Sequence, residues 1–332
     1  MARTALEEGA AFLAVATVGE GEQLREAGIT APILLLSIPI PEEIPELIAN
    51  KLTPLVGDGD FIRSLAAVVK GDPLPVHLKV DTGMGRVGCP PASAAEMAAL
   101  IAGLRSLKLE GVATHLAVSD SLEPDAVRYT KEQLARFSGA VSDIRKAGID
   151  PGIVHAANTG AVAFHEDAFF DMVRPGILLY GYAPEGAETV LPVKPVMELV
   201  SRIVFIKQVK KGETVSYGRT WTADRDTTIA TIPVGYGDGL PRRLSGNFSV
   251  RINGGVYPLA GRICMDQCMV DLGQNNLGPS TAFKENGAIR RWDTVTIFGG
   301  DAPSAADVAA KLGTISYEIT CGINKRVPRV YT

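Results

Sequence analysis

Over the first part of the chain, up to about residue 182, short apolar runs alternate with amphipathic ones. Phe12 to Val18 precedes a helical pattern from Glu20 to Gly28, and Ile33 to Leu36 precedes Pro41 to Asn50. Leu52 to Val56 precedes Phe61 to Lys70, Val76 to Val80 precedes Ala92 to Leu104, and Leu107 to Leu116 precedes Asp125 to Ala147. Ile153 to Ala157 leads to a short segment near Phe164 to Asp167, and Val173 to Leu179 closes the series. Continuous apolar runs suit strands covered on both faces, and strands alternating with helices suit βαβ units. Residues 2 to 8 read as the tail of a helix stopped by Gly9. The expectation is an α/β fold with seven strands: a TIM (β/α)8-type barrel lacking its first strand. Its sheet would not close, because strand number, tilt and stagger are coupled.

Beyond Pro184 the pattern changes to short β-type runs: Val200 to Val209, Thr227 to Val234, Phe248 to Ile252, Val256 to Leu259, Arg262 to Leu272 and Thr294 to Phe298. Turn signals separate them (Lys211-Gly212, Asn253-Gly254-Gly255, Gly299-Gly300), and only Ser304 to Leu312 reads as clearly helical. This predicts a mostly antiparallel β C-terminal domain. The boundary falls near residues 182 to 192, giving domains 1–185 and 186–332.

The charge balance is 33 − 37 = −4 with no basic tract, which argues against nucleic-acid and membrane-surface partners. The longest apolar stretch, Ala31 to Ile40, is broken by Pro and Ser and is too short to span a bilayer. Glu7 and Glu8 interrupt any secretory apolar block, so a cytoplasmic location is expected. Cys264 and Cys268, four apart in an expected strand from Ile263 to Val270, would share a face; with no second pair they predict free thiols rather than a metal knuckle.

Barrel sites lie at the C-terminal ends of the strands, with phosphates often bound late in the barrel. There the chain places His155-Ala-Ala-Asn158-Thr159-Gly160 and Arg174-Pro175-Gly176-Ile177. Ordinary turn chemistry explains each stretch alone; the two together suit a phosphate. His77, Lys79 and Asp81 alternate with apolar residues and share one side, where burial demands partners. His115 ends the next apolar run. Gly83-x-Gly85-x-x-Gly88 matches a dinucleotide pattern, but no acidic residue follows at the needed distance. The β domain adds Tyr217-Gly218, Gly235-Tyr236-Gly-Asp-Gly and Cys264-Met265-Asp266-Gln267.

In order and spacing, the run His77 to Gly88, Arg174-Pro-Gly-Ile, Tyr217-Gly, Gly235-Tyr-Gly-Asp-Gly, Cys264-Met-Asp-Gln and Thr314-Ile-Ser-Tyr317-Glu resemble alanine racemase, a fold type III pyridoxal-phosphate enzyme. The resemblance implies a cytoplasmic isomerase. It would interconvert L- and D-alanine for peptidoglycan as a homodimer with a shared site. It makes Tyr217 the proton-transfer tyrosine, acting at the partner's barrel mouth. Arg174 would face the pyridine nitrogen of pyridoxal 5'-phosphate, with His115 beside the cofactor. Asn158, Thr159 (where serine is common), Gly176, Ile177 and Tyr317 would contact its phosphate. Arg86 would touch the phenolic oxygen and the substrate carboxylate, steadied by a carbamylated Lys79. Met265 and Asp266, contributed by the partner, would neighbour the substrate carboxylate, and Tyr236 would line a narrow entrance. An arginine keeps its proton at neutral pH, so the ring nitrogen opposite it stays unprotonated and the electron sink is weakened.

The family's Schiff-base lysine lies in a Lys-Ala-Asn-Ala-Tyr-Gly-His-Gly type segment, and these 332 residues hold no such segment. The favoured expectation is that Met1 is internal to a longer product; the other is a truncated relative. Either way, the chain as written is expected not to link the cofactor covalently and to be inactive as it stands. Two alternatives remain open: a non-catalytic cofactor or ligand binder, and a metal-dependent barrel hydrolase using His77, His115 and His155.

Overall fold

The computed structural model describes residues 1–274 and 288–331, and the chain divides into two compact units. The first holds Met1–Leu178 with Ala183–Pro192; the second holds Leu179–Tyr182 with Val193–Thr332.

In the first unit, α1 (Ala2–Glu7) precedes β1 (Leu13–Val15), α2 (Val18–Glu26), β2 (Ile33–Leu35), α3 (Ile44–Ala49) and β3 (Thr53–Val56). Then come α4 (Gly59–Val68), β4 (Leu74–Lys79), α5 (Ala94–Gly103), β5 (Leu107–Ala113), α6 (Pro124–Lys146), β6 (Ile153–His155) and α7 (Thr159–Phe164). The six strands pair in parallel in chain order, the pattern of a barrel wall. Ile33, Leu34 and Leu35 are all buried, which is why the runs read as unbroken apolar stretches. Local chemistry starts the helices: Thr17 and Glu20 form a capping box on α2, and Asp58 accepts the Phe61 N–H at 2.8 Å to cap α4. α6 begins with Pro124, ends with Arg145 and Lys146, and buries Leu134, Phe137, Val141 and Ile144 at helical spacing.

Val173 to Leu179 does not form the expected seventh strand. Met172 makes a single parallel bridge to His155, and the Arg174 N–H donates to the Ala157 carbonyl at 2.9 Å. Pro175 then offers no N–H, Gly176 takes φ +21°, and a 3-10 turn runs from Gly176 to Tyr180.

The second unit is built from β7 (Leu199–Arg202), β8 (Phe205–Val209), β9 (Thr214–Val215), β10 (Trp221–Thr222), β11 (Thr227–Ile232), β12 (Ser249–Ile252), β13 (Gly255–Pro258), β14 (Cys268–Gly273) and β15 (Thr294–Phe298). Two helices follow, α8 (Ala305–Leu312) and α9 (Ser316–Gly322). The sheets run β14-β11-β8 and β13-β12-β15-β7, with β9 and β10 as a separate pair, and every pairing is antiparallel. Asn253 and Gly254 both take positive φ in the tight hairpin between β12 and β13. Two expectations change. The strand expected from Ile263 begins only at Cys268, so Cys264 lies in a loop and does not share a strand face with it. α9 is a second helix in a tail where only α8 carried a clear signal; α8 has its Ser304–Asp307 capping box and Gly313 stop, whereas α9 has no side-chain cap. Among the described residues, no helix is long and apolar enough to cross a membrane.

Candidate active site

β4 carries His77 and Lys79 on one side, and both are buried. His77 Nδ1 lies 2.8 Å from His155 Nε2, and His155 Nδ1 lies 2.6 Å from Arg174 Nη1. A guanidinium only donates, so His155 Nδ1 must accept. Neutral His155 then carries its proton on Nε2 and donates to His77 Nδ1. His77 in turn holds its proton on Nε2, which faces Glu110 Oε2 at 3.6 Å. The chain is therefore polarised in one direction: Arg174 to His155 to His77 toward Glu110. Gly111 makes room for it, since a Cβ there would come within 2.6 Å of the His77 ring.

Arg174 Nη2 also donates to the Thr114 and Ala156 carbonyls, each at 2.9 Å, and reaches His115 Nδ1 at 3.5 Å. No carboxylate pairs with this guanidinium among the described residues, and Nε–H has no partner there. Burial lowers Arg174 to about 10, leaving it a cation at neutral pH. Burial first and the Arg174 charge second push the histidines down: His77 to about 4, His115 to about 3 and His155 to about 2. All three are neutral at pH 7; His77 Nδ1 and both His155 nitrogens are engaged as described, and His77 Nε2 makes no hydrogen bond. Among the described residues no group of three His, Cys, Asp or Glu side chains is placed to hold a metal ion, as the metal-hydrolase alternative requires.

Lys79 Nζ is buried and makes no hydrogen bond. Burial, then the charges of Arg174 and Arg86, pull it down to about 7, with Asp81 and Cys89 opposing. Asp81 is held by the Gly83 and Gly85 N–H groups, both at 3.0 Å, so the glycine run after β4 is a carboxylate-bound turn rather than a dinucleotide loop. Arg86 lies exposed beyond that turn.

Asn158 caps α7: its Oδ1 accepts from Ala161 N at 3.2 Å and from Ser119 Oγ at 2.6 Å, and its Nδ2 donates to Leu116 O at 3.2 Å. Its side-chain amide serves the scaffold. Thr159 Oγ1 is buried without a partner, and it sits 3.4 Å from where a Cβ on Gly176 would stand. Ile177 is half-buried on the same turn. A free buried hydroxyl beside a glycine suits a phosphate oxygen.

In the second unit, the loop from Gly261 to Gln267 gathers the other candidates. The Tyr236 N–H donates to the Cys264 carbonyl at 3.0 Å, and the Gly237 N–H to the Met265 carbonyl at 2.8 Å. Ser216, beside Tyr217, donates its hydroxyl to the Arg262 carbonyl at 2.5 Å. Tyr217, Tyr236 and Met265 are all exposed. Arg326 binds Asp266 Oδ1 at 2.7 Å through Nη2 and Asp238 Oδ1 at 2.8 Å through Nε. Tyr317 lies on α9.

Several of these residues went unnoticed in the sequence. Glu110, Ser216 and Arg326 carry no motif of their own, Asp238 was read only as part of Gly235-Tyr236-Gly-Asp-Gly, and Ser119 lies in a loop. The one available signal was the basic tail Lys325-Arg326 through Arg329, beside an otherwise acidic composition.

Two family models match: alanine racemase, N-terminal domain, over residues 1–184, and alanine racemase, C-terminal domain, over 196–331. An alanine racemase of Treponema denticola is 48% identical over 340 residues, covering all of this chain and 86% of its own length. That of Treponema pallidum is 43% identical, with 88% of its length covered. Among solved structures, an alanine racemase of Clostridium difficile 630 superposes with a TM-score of 0.90 at 37% identity, over all of this chain and 84% of that one. The Bacillus anthracis alanine racemase with bound L-Ala-P gives 0.88 at 35% identity, over all of this chain and 83% of that one. On the match along both domains, the chain belongs to the alanine racemase family.

Proposed function

We propose that this chain racemises alanine by moving the α-proton between two faces of the amino acid, using pyridoxal 5'-phosphate. The observation that carries the reading is Arg174, a cation held by His155 and two carbonyls with no carboxylate partner among the described residues. Its unpartnered Nε–H is the donor left for a ring nitrogen, and the free Thr159 hydroxyl beside Gly176 supports a phosphate nearby. When bound, the cofactor supplies a sink for the electron pair left at Cα.

The chain's own residues supply the binding groups and the acid/base of one face; the other face falls to the family's Schiff-base lysine, which lies outside these 332 residues. Thr159, Gly176 and Ile177 hold the phosphate, while Asn158 keeps their turn in shape. Arg174 donates and does not accept, so it adds no proton to the ring. His115, neutral at pH 7, lies beside the ring without adding charge. Tyr217 gives or takes the α-proton at a partner subunit's site in a homodimer; a phenol does so near neutral pH only beside positive charge. Arg86 and the partner subunit's Met265–Asp266 loop bind the substrate carboxylate, and Tyr236 narrows the entrance so that a small side chain is preferred. Neutral Lys79 Nζ attacks carbon dioxide, forms a C–N bond and releases a proton; the resulting carbamate pairs with Arg86. Lys79 is thereby assigned a role other than cofactor attachment, and the family's attachment segment has no counterpart in these 332 residues.

The test is deuterium entry at Cα of alanine in heavy water with added cofactor, read for both enantiomers. Exchange with inversion supports racemisation. Cofactor binding without any exchange sinks the reading in favour of a non-catalytic binder.

A further inference from the structure

Ser216 takes φ 71° and ψ 179°, a region that is essentially glycine's own, yet it is a serine. It stands in a turn with two more positive φ values, Gly218 at 72° and Arg219 at 51°, and Tyr217 lies between them. Glycine would relieve the backbone at 216. What glycine could not supply is the hydroxyl, whose proton goes to the Arg262 carbonyl at 2.5 Å, with Cys264 Sγ at 3.6 Å.

The surroundings are shaped to this side chain. A Cβ on Gly261 would fall 2.7 Å from Ser216 Cβ and 2.7 Å from the Val215 carbonyl oxygen. On the far side of Tyr217, a Cβ on Gly218 would fall 2.9 Å from Arg262 Nη1. Arg262 therefore meets the turn twice, through its carbonyl before Tyr217 and its guanidinium after it. The same loop continues into Met265 and Asp266.

We propose that Ser216 is a positioning residue for Tyr217: its hydroxyl latches the phenol-bearing turn to the Arg262 carbonyl and so fixes the phenol relative to the Met265–Asp266 loop. This rests on the reading of Tyr217 as the proton-transfer group. Strain that a glycine would remove is kept at the residue preceding the exposed phenol, and the hydroxyl that offsets it ends on the loop assigned to the substrate.

The experiment places 3-fluorotyrosine at position 217 of the full chain and compares wild type with Ser216→Gly and Ser216→Ala. Glycine keeps the backbone at ease, so folding is secure in that variant, and alanine removes the hydroxyl alone. The latch predicts one narrow 19F line in wild type and a broadened or split line in both variants. In unlabelled protein it predicts a kcat about tenfold to a hundredfold lower, with KM for alanine nearly unchanged. A Ser216→Gly protein with the wild-type line and kcat overturns the latch, as does loss of kcat under an unchanged line. If wild type itself shows no racemisation, the functional reading fails, and the line shape alone decides the latch.

Discussion

The buried histidine pair makes stability depend on pH in a defined direction. His77 is held near 4 and His155 near 2, against an ordinary value of 6.5. A lowered histidine pKa means that the folded state prefers the neutral ring. The stability this confers is complete above pH 6.5 and is lost as pH falls from there toward the folded value, because the unfolded chain then binds protons that the folded chain refuses. At about pH 5, each ring contributes a loss of about 2 kcal/mol relative to neutral pH, or about 4 kcal/mol for the pair. Both rings are fully buried, so solvent screening does not erode the figure. For a unit of this size the loss lowers Tm by roughly ten degrees. The assay is calorimetry from pH 8 to pH 5, paired with long-range 1H–15N spectra of the histidines. The spectra should show His77 and His155 still neutral at pH 5, each protonated on Nε2. A ring that titrates near 6.5, or an Nδ1–H tautomer at His155, refutes the one-way chain from Arg174.

Two further outcomes follow from the charges. Arg326→Ala frees Asp238 and Asp266; stability changes little because the arginine is exposed to solvent, but KM for alanine rises, most at low salt, since two uncompensated carboxylates repel a third. Arg326→Lys reverses part of that rise through its charge without the two-pronged grip. For Lys79, held near 7 against 10.5, stability in CO2-free buffer rises between about pH 7 and about pH 9, where the folded chain has given up a proton that the unfolded chain still holds; Lys79→Met flattens that slope in thermal melts.

The legible parts of the fold were those with a local cause. α6 was read within a residue at each end, because its apolar face repeats at helical spacing and Pro124 opens it. The run at Val173 to Leu179 has the same apolar texture as the true strands. What stops it is the missing N–H of Pro175 and the conformation of Gly176, which hydropathy does not register. The even spacing of Cys264 and Cys268 implied a shared face only if the segment were extended, and the loop begun at Gly261 turns it aside. His77 was visibly a polar residue in an apolar run, but its partner stands 78 residues on, so burial could be foreseen and the pairing could not. Arg326 joins loops 60 and 88 residues upstream, with nothing in its own neighbourhood to announce it.

The two units handle charge in opposite ways, and that contrast bears on function. In the second, Asp238 and Asp266 share one arginine at hydrogen-bond distance, so its acids are largely neutralised at home. In the first, Arg174 and Lys79 are desolvated with no carboxylate bonded to either, and Asp81, the acid whose charge reaches Lys79, is bound to backbone N–H groups. Burying cations without partners costs stability that a scaffold with no other task would avoid by placing an acid among them. Three neutral histidines around Arg174 keep the imbalance instead of relieving it. An anionic occupant relieves it; under the proposed function a phosphate-bearing ring and a carbamate on Lys79 would supply that negative charge. Anion binding should therefore raise stability: if inorganic phosphate and bicarbonate together leave the melting temperature unchanged, the imbalance has some other purpose and the assignment of this mouth to an anionic cofactor loses its physical ground.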